Sequence, residues 1–141
     1  MKDIFCNISP KSFDTLFSTD EKCLEFLSNE KWKDGFTCRK CGHDHFSKGK
    51  TPFSRKCTRC KHEESATAYT IFHRCRIPIR DAFHIGYMVC NDPEISTYEI
   101  SRRLELRQMT SWKFKKRFLE CIETEGSFLD VQLHDPSQSA D

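Results

Sequence analysis

The sequence predicts a small α+β protein in which a cysteine-bearing ribbon is flanked by helices, and three observations predict it. Apolar residues recur at helical spacing before residue 35 and again after Pro78; the stretch 35–72 between them keeps no helical period; and that stretch carries two Cys-x-x-Cys pairs among short runs of Phe, Thr and Tyr that suit small strands.

Residues 1–34 form the N-terminal helical segment. From Asp20 to about Glu30, Cys23, Leu24 and Leu27 share one face with Trp32 beyond, and Thr19 or Asp20 can cap the start. After the ribbon, 35–72, Pro78 opens a helix in which Ile79, Phe83, Tyr87 and Cys90 recur until Asn91-Asp92-Pro93 ends it. Ser96 with Glu99 three residues on has the spacing of a capping box, which predicts a helix over 97–103. A third helix is expected from Thr110 to about Glu123, with Trp112 as its core anchor beside Phe118 or Leu119 and Ile122. Three helices with the short joint Leu104-Glu105-Leu106 between the last two outline a three-helix helix-turn-helix over 73–124. The polar residues 125–141 read as a disordered tail.

A chain of 141 residues with 37% hydrophobic residues and a mean hydropathy of -0.67 is thin for stabilisation by burial alone, so a metal staple would be useful. Nine cysteines is an odd number, and no apolar leader follows Met1-Lys2-Asp3, which argues against a secreted disulfide framework and for a reducing cytoplasm. Charged residues interrupt every run that might span a bilayer. The net charge of +2 hides segregation: residues 31–80 hold 13 basic and 4 acidic side chains, residues 101–117 hold 7 and 1, and the flanking stretches are acidic. Two basic islands in one chain point to two surfaces for a polyanion.

Each Cys-x-x-Cys folds as a knuckle that aims two sulfurs at one point, and zinc takes four such ligands in a tetrahedron. Fifteen residues separate Cys41 from Cys57, enough for a hairpin that sets Cys57 and Cys60 opposite Cys38 and Cys41. Gly42 permits the positive backbone angle that ends a knuckle, while Lys61 takes that place in the second. Arg39, Lys40, Arg59 and Lys61 would offset the charge of four thiolates. The expectation is one structural Zn2+ held by Cys38, Cys41, Cys57 and Cys60, the chief rival being a rubredoxin-like iron site. Catalytic zinc is disfavoured because four protein thiolates leave no place for water. His43, His45 and His62 read as neighbours of the site, and Cys6, Cys23, Cys75, Cys90 and Cys121 as buried or incidental thiols.

The second island holds Arg102, Arg103, Arg107, Lys113, Lys115, Lys116 and Arg117 against one acid, Glu105. In a helix-turn-helix the start of the last helix enters the major groove, so Arg107, Gln108, Thr110, Ser111 and Lys113 are candidates for base edges or flanking phosphates. Lys116 and Arg117, one turn on, would reach backbone phosphates, with Arg102 and Arg103 beside them. A merely solvated basic helix, or one paired with the acidic residues after Glu120, is the competing reading.

With these residues in view the chain resembles the N-terminal region of the IS1595 (ISXO2-like) transposases. The resemblance rests on Phe36-Thr37-Cys38-Arg39-Lys40-Cys41-Gly42, Cys57-Thr58-Arg59-Cys60, the run Ala68 to Arg74, Arg76-Ile77-Pro78-Ile79, Ile95-Ser96 through Leu104, and Thr110-Ser111-Trp112, and it covers about residues 12–122. It implies a zinc ribbon joined to a helix-turn-helix that holds transposon DNA, with a separate RNase H-like domain doing the cutting. Nineteen residues follow Ile122, too few for that domain, so no catalytic residues are expected. The family tends to carry Gly where this chain has Glu105, so a longer or straighter joint is expected here.

These readings converge on a non-enzymatic, zinc-dependent DNA-binding protein related to the DNA-binding half of a transposase, a regulator, accessory subunit or remnant. Its partner would be double-stranded DNA, with self-association or a separate catalytic subunit as further partners. The resemblance implies a bacterial cytoplasmic, nucleoid-associated location. Two alternatives stand beside this reading: the N-terminal part of a split transposase, and a zinc-ribbon module for protein interaction.

Overall fold

The computed structural model describes Phe5 and residues 8–123. Along them run five helices and three short strands: α1 Pro10–Leu16, α2 Asp20–Lys31, β1 Phe46–Lys48, β2 Arg55–Cys57, β3 Glu63–Glu64, α3 Ile79–Asn91, α4 Thr97–Leu104 and α5 Gln108–Glu123. The expected disordered tail and Cys6 lie outside the described residues.

Four of the helices begin where a side-chain oxygen caps them. The Ser9 side chain accepts from Ser12 N at 3.1 Å with Pro10 in the first turn, which begins α1, a helix the apolar period did not single out. Thr19 caps α2 through Lys22 N at 3.1 Å, and Asp20 and Glu21 complement the positive end of its dipole. Asp20 Oδ1 also accepts from Arg80 N at 2.9 Å, so the start of α2 caps the start of α3 and sets the two helices together. At α4 only half of the expected capping box forms: Ser96 Oγ accepts from Glu99 N at 3.0 Å, but the Glu99 carboxylate turns to Arg102 and Arg103, 2.6 Å from each. Two charged donors outcompete one backbone N–H for that carboxylate.

The three strands form one antiparallel sheet in the order β1-β2-β3, with Phe46 opposite Cys57 and Lys56 opposite Glu63. Trp32, Phe36, Cys38 and Cys57 make a small core of their own beneath it. The larger core is aromatic. Phe5, Phe13, Phe17, Phe72, Phe83 and Phe118 are all buried, with Phe72 stacked on Phe83 at 4.9 Å and Phe5 edge-on to Phe83 at 5.9 Å. Gly86 on α3 makes room for this: a Cβ there would fall 2.7 Å from Phe118 Cζ and 3.0 Å from Phe5 Cε2.

Two expectations for the last helices change. α5 starts at Gln108, two residues earlier than expected, and its buried face is Ser111, Phe114, Phe118 and Cys121. Trp112, expected as the core anchor, is exposed. The physical reason is charge: a helix phased to bury Trp112 would also bury Lys116 one turn on, whereas burying Phe114 and Phe118 leaves Lys113 and Lys116 in solvent. The joint between α4 and α5 is tight rather than long or straight. Glu105 sits in the left-handed region at φ 56°, ψ 47°, and Leu106 N closes on Ser101 O at 3.1 Å. Among the described residues no helix is long and apolar enough to cross a membrane.

A left-handed backbone is what Gly adopts without steric cost and Glu does not. Glu105→Gly is therefore expected to raise stability by about 1 kcal/mol, read as a higher midpoint of chemical denaturation with an unchanged slope. A lower midpoint would mean that the Glu105 side chain contributes more than its backbone strain costs.

Candidate metal centre and basic helix face

Four sulfurs converge where the two knuckles meet. Cys38 Sγ lies 3.6 Å from Cys60 Sγ and Cys41 Sγ 3.6 Å from Cys57 Sγ, and all four fall within 4.8 Å of one another. A metal–sulfur bond of 2.3 Å in a tetrahedron requires sulfur separations of about 3.8 Å, so the set fits a metal ion and is too open for a disulfide. The knuckles repeat each other's hydrogen bonds. Lys40 N and Cys41 N donate to Cys38 Sγ at 3.3 and 3.4 Å, and Arg59 N and Cys60 N donate to Cys57 Sγ at 3.3 and 3.4 Å. Gly42 N closes on Cys38 O at 2.9 Å and Lys61 N on Cys57 O at 3.1 Å. Gly42 at φ 82° and Lys61 at φ 67° both take the positive angle expected of a knuckle's end.

These contacts prepare Cys38 and Cys57 for a cation, whereas at Cys60 the His62 N–H pulls the thiol down but burial and the three neighbouring thiols push it up to about 11. The N–H groups of Cys41 and Lys40 hold the Cys38 thiol below its ordinary range despite some desolvation. At Cys57, burial pushes the thiol up, but the N–H groups of Cys60 and Arg59 and the neighbouring thiols overcome it and hold it at about 6. The rings of His43 and His45 have partners of their own. His43 Nε2 lies 3.1 Å from Thr58 Oγ1 and His45 Nδ1 2.7 Å from Asp44 Oδ1, while the carbonyls of His43 and His62 accept from Cys38 N and Cys57 N. Of the other cysteines, Cys23, Cys90 and Cys121 are buried, and Cys75 Sγ donates to Ile77 O at 3.1 Å.

A buried ion pair fastens the ribbon to α2, and no periodicity announced it. Lys31 Nζ lies 2.7 Å from Glu64 Oε2, with both side chains almost wholly buried, and also donates to Ser65 O at 2.7 Å and Ala68 O at 2.6 Å. Arg39 Nε reaches the same carboxylate at 3.0 Å and its guanidinium covers Tyr69 at 4.0 Å. Burial pushes the Lys31 ammonium down to about 8 against the pull of Glu64, which leaves it charged at neutral pH. Its sequence signal was a Lys at the C-terminal end of an amphipathic helix, which ordinarily marks a solvated position.

Residues 18–63 match the transposase zinc-ribbon domain of the IS1595 type. The match spans α2 and the ribbon together, across the boundary expected after residue 34, and a zinc ribbon implies zinc at the four sulfurs. No curated protein and no solved structure matches the chain.

The expected DNA-contact residues fall into three settings. The side chains of Arg107, Gln108 and Lys113 are exposed and make no hydrogen bond or ion pair among the described residues, with Thr110 half-buried between them. Lys116 Nζ stands 5.2 Å from the centroid of the exposed Trp112 ring. Arg102 and Arg103 share Glu99, and Arg117 Nη1 donates to Ile71 O at 3.2 Å, which ties α5 to the end of the ribbon. Ser111 is the exception: it is fully buried, and its hydroxyl accepts from Ser101 Oγ at 3.0 Å where α4 packs on α5. Its small side chain lets the helices approach and faces away from any ligand.

The chain is expected to carry one zinc ion per molecule by elemental analysis, and Cys41→Ser or Cys60→Ser to lose it together with the ribbon's protection from proteolysis. Thiolates must be deprotonated to hold a metal, and the Cys57 thiol is held at about 6. In the metal-free ribbon the stability from this thiolate is complete above the ordinary thiol value near 9 and is lost as pH falls through about 6. Metal release followed with a chromogenic chelator should therefore occur on acidification and not on alkalinisation.

Breaking the buried pair should be costly. Lys31→Met alone is expected to destabilise by about 2–3 kcal/mol, because buried Glu64 keeps only the half-exposed Arg39 guanidinium and the Ser65 and Ala68 carbonyls lose their donor. The double variant Lys31→Met, Glu64→Leu should recover much of that loss; equal loss in single and double variants would show that the backbone bonds to Ser65 and Ala68, not the ion pair, carry the joint.

Proposed function

We propose that this chain is a zinc-dependent DNA-binding protein related to the DNA-binding half of a transposase, acting as a regulator, accessory subunit or remnant, on double-stranded DNA in the cytoplasm. One observation carries the reading. Arg107 just before α5, and Lys113 and Lys116 on its exposed side, place cations along the N-terminal part of a helix whose first turn holds no acidic side chain, with Gln108 exposed at its start. The macrodipole adds positive potential at that end, where a helix-turn-helix meets DNA.

Further geometry supports it. A tight left-handed joint at Glu105 and the buried Ser101–Ser111 hydrogen bond hold α4 close against α5, which is the relation a helix-turn-helix needs. The match of residues 18–63 to a transposase zinc ribbon ties the same chain to proteins that handle DNA. The ribbon adds a second basic surface through Lys40, Arg59 and Lys61, all exposed around the sulfurs. Zinc held by four thiolates would supply a structural cross-link with no open position for substrate water, so no catalytic residue is assigned.

Zinc-loaded protein should bind duplex DNA with an affinity that falls steeply and linearly on a log-log plot of salt. Lys116→Ala and Lys113→Ala should each weaken binding to all sequences and lower the salt slope by about 1, whereas Arg107→Ala or Gln108→Ala should alter preference among sequences. Fluorescence anisotropy on labelled duplexes measures both. No binding to any duplex at low salt would sink the reading and leave the ribbon as a protein-interaction module.

A further inference from the structure

We propose that Met109 and Trp112 form an apolar reading edge on α5 that recognises thymine C5-methyl groups in the major groove, an inference that rests on the helix-turn-helix reading and adds which bases it selects. Both side chains are exposed, Met109 at 62% and Trp112 at 48%. α5 has a buried face available at Ser111, Phe114, Phe118 and Cys121, yet these two large apolar residues stand outside it. Three positions apart, they are neighbours on the helix surface. They also lie within its first five residues, the part that reaches base edges in a helix-turn-helix.

Their surroundings say what covers them. Arg107 precedes the pair, Lys113 follows it, and Lys116 Nζ stands 5.2 Å from the Trp112 ring centroid. An apolar pair ringed by cations fits a polyanion that carries apolar groups at a fixed depth. A second copy laid on this face would instead set the same cations against each other. Within the major groove the base-edge group that is apolar is the thymine methyl. Gln108, exposed at the start of the same turn, carries an amide able to pair bidentately with adenine N6 and N7, the base opposite thymine. Together the three side chains select A·T pairs at the positions facing the start of α5.

Selection of bound sequences from random duplexes, followed by replacement of each thymine with deoxyuridine in the selected duplex, tests this because the exchange removes only the methyl group. At one or two positions deoxyuridine should weaken wild-type binding about fourfold each, the fold-change that corresponds to ~0.8 kcal/mol for a buried group of CH2 size. Trp112→Ala and Met109→Ala, at exposed positions outside the core, should abolish that difference. Equal affinity for thymine and deoxyuridine at every position, a selected site without thymine, or an unchanged methyl effect in both variants overturns the proposal while DNA binding itself stands. Failure to hold any duplex instead removes the helix-turn-helix reading on which it rests.

Discussion

Strands of three, three and two residues cannot bury enough apolar surface to hold a sheet together, so the ribbon depends on the convergence of four sulfurs. Everything local to the ribbon serves that convergence. Paired backbone N–H groups point at Cys38 and Cys57, positive φ angles at Gly42 and Lys61 turn each knuckle back, and the hairpin between them sets Phe46 opposite Cys57. A metal ion held there would close loops that otherwise carry their full conformational entropy.

The sulfur cluster alone would leave the ribbon swinging on the end of α2. Lys31 prevents this by reaching from the last turn of that helix into the ribbon, where Glu64 and two carbonyls take up its three N–H donors. A buried ammonium is tolerable only when its charge and all its donors are met, and here they are. Trp32, the next residue, packs under the sheet with the Arg55 guanidinium over its ring at 4.6 Å. On the far side Arg117 binds the Ile71 carbonyl, so the last residues of the ribbon are held from both α2 and α5. The four sulfurs and the basic helix thus sit in one connected framework.

Much of the metal centre was legible because it is written locally. A Cys-x-x-Cys knuckle is set by four adjacent residues and by the backbone angle of the next, so spacing is enough to find it. Helix starts at Asp20 and Thr97 were legible for the same reason, since Thr19 and Ser96 act on neighbours one turn away, and Pro78 marks the start of α3 by its fixed backbone angle, while the cap that completes it comes from Asp20. Less was legible where several partners compete for one group. Glu99 had the spacing to complete a capping box, but two arginines on its own helix hold its carboxylate.

What the sequence by itself determined was the order of helices and ribbon and the identity of the four sulfurs, because those follow from interactions between residues a few positions apart. Only the tertiary structure decided which side of α5 faces inward, which puts Ser111 in the core and Trp112 in solvent. It also decided that a lysine ending a helix would become the buried tie to the ribbon. Both outcomes turn on what packs from far along the chain: Ser101 against Ser111 across the tight joint, and Glu64 against Lys31 across the whole ribbon. A helical period can say that an apolar face exists, but its direction is set by the charges that must stay in water and by the partner that arrives to cover the rest.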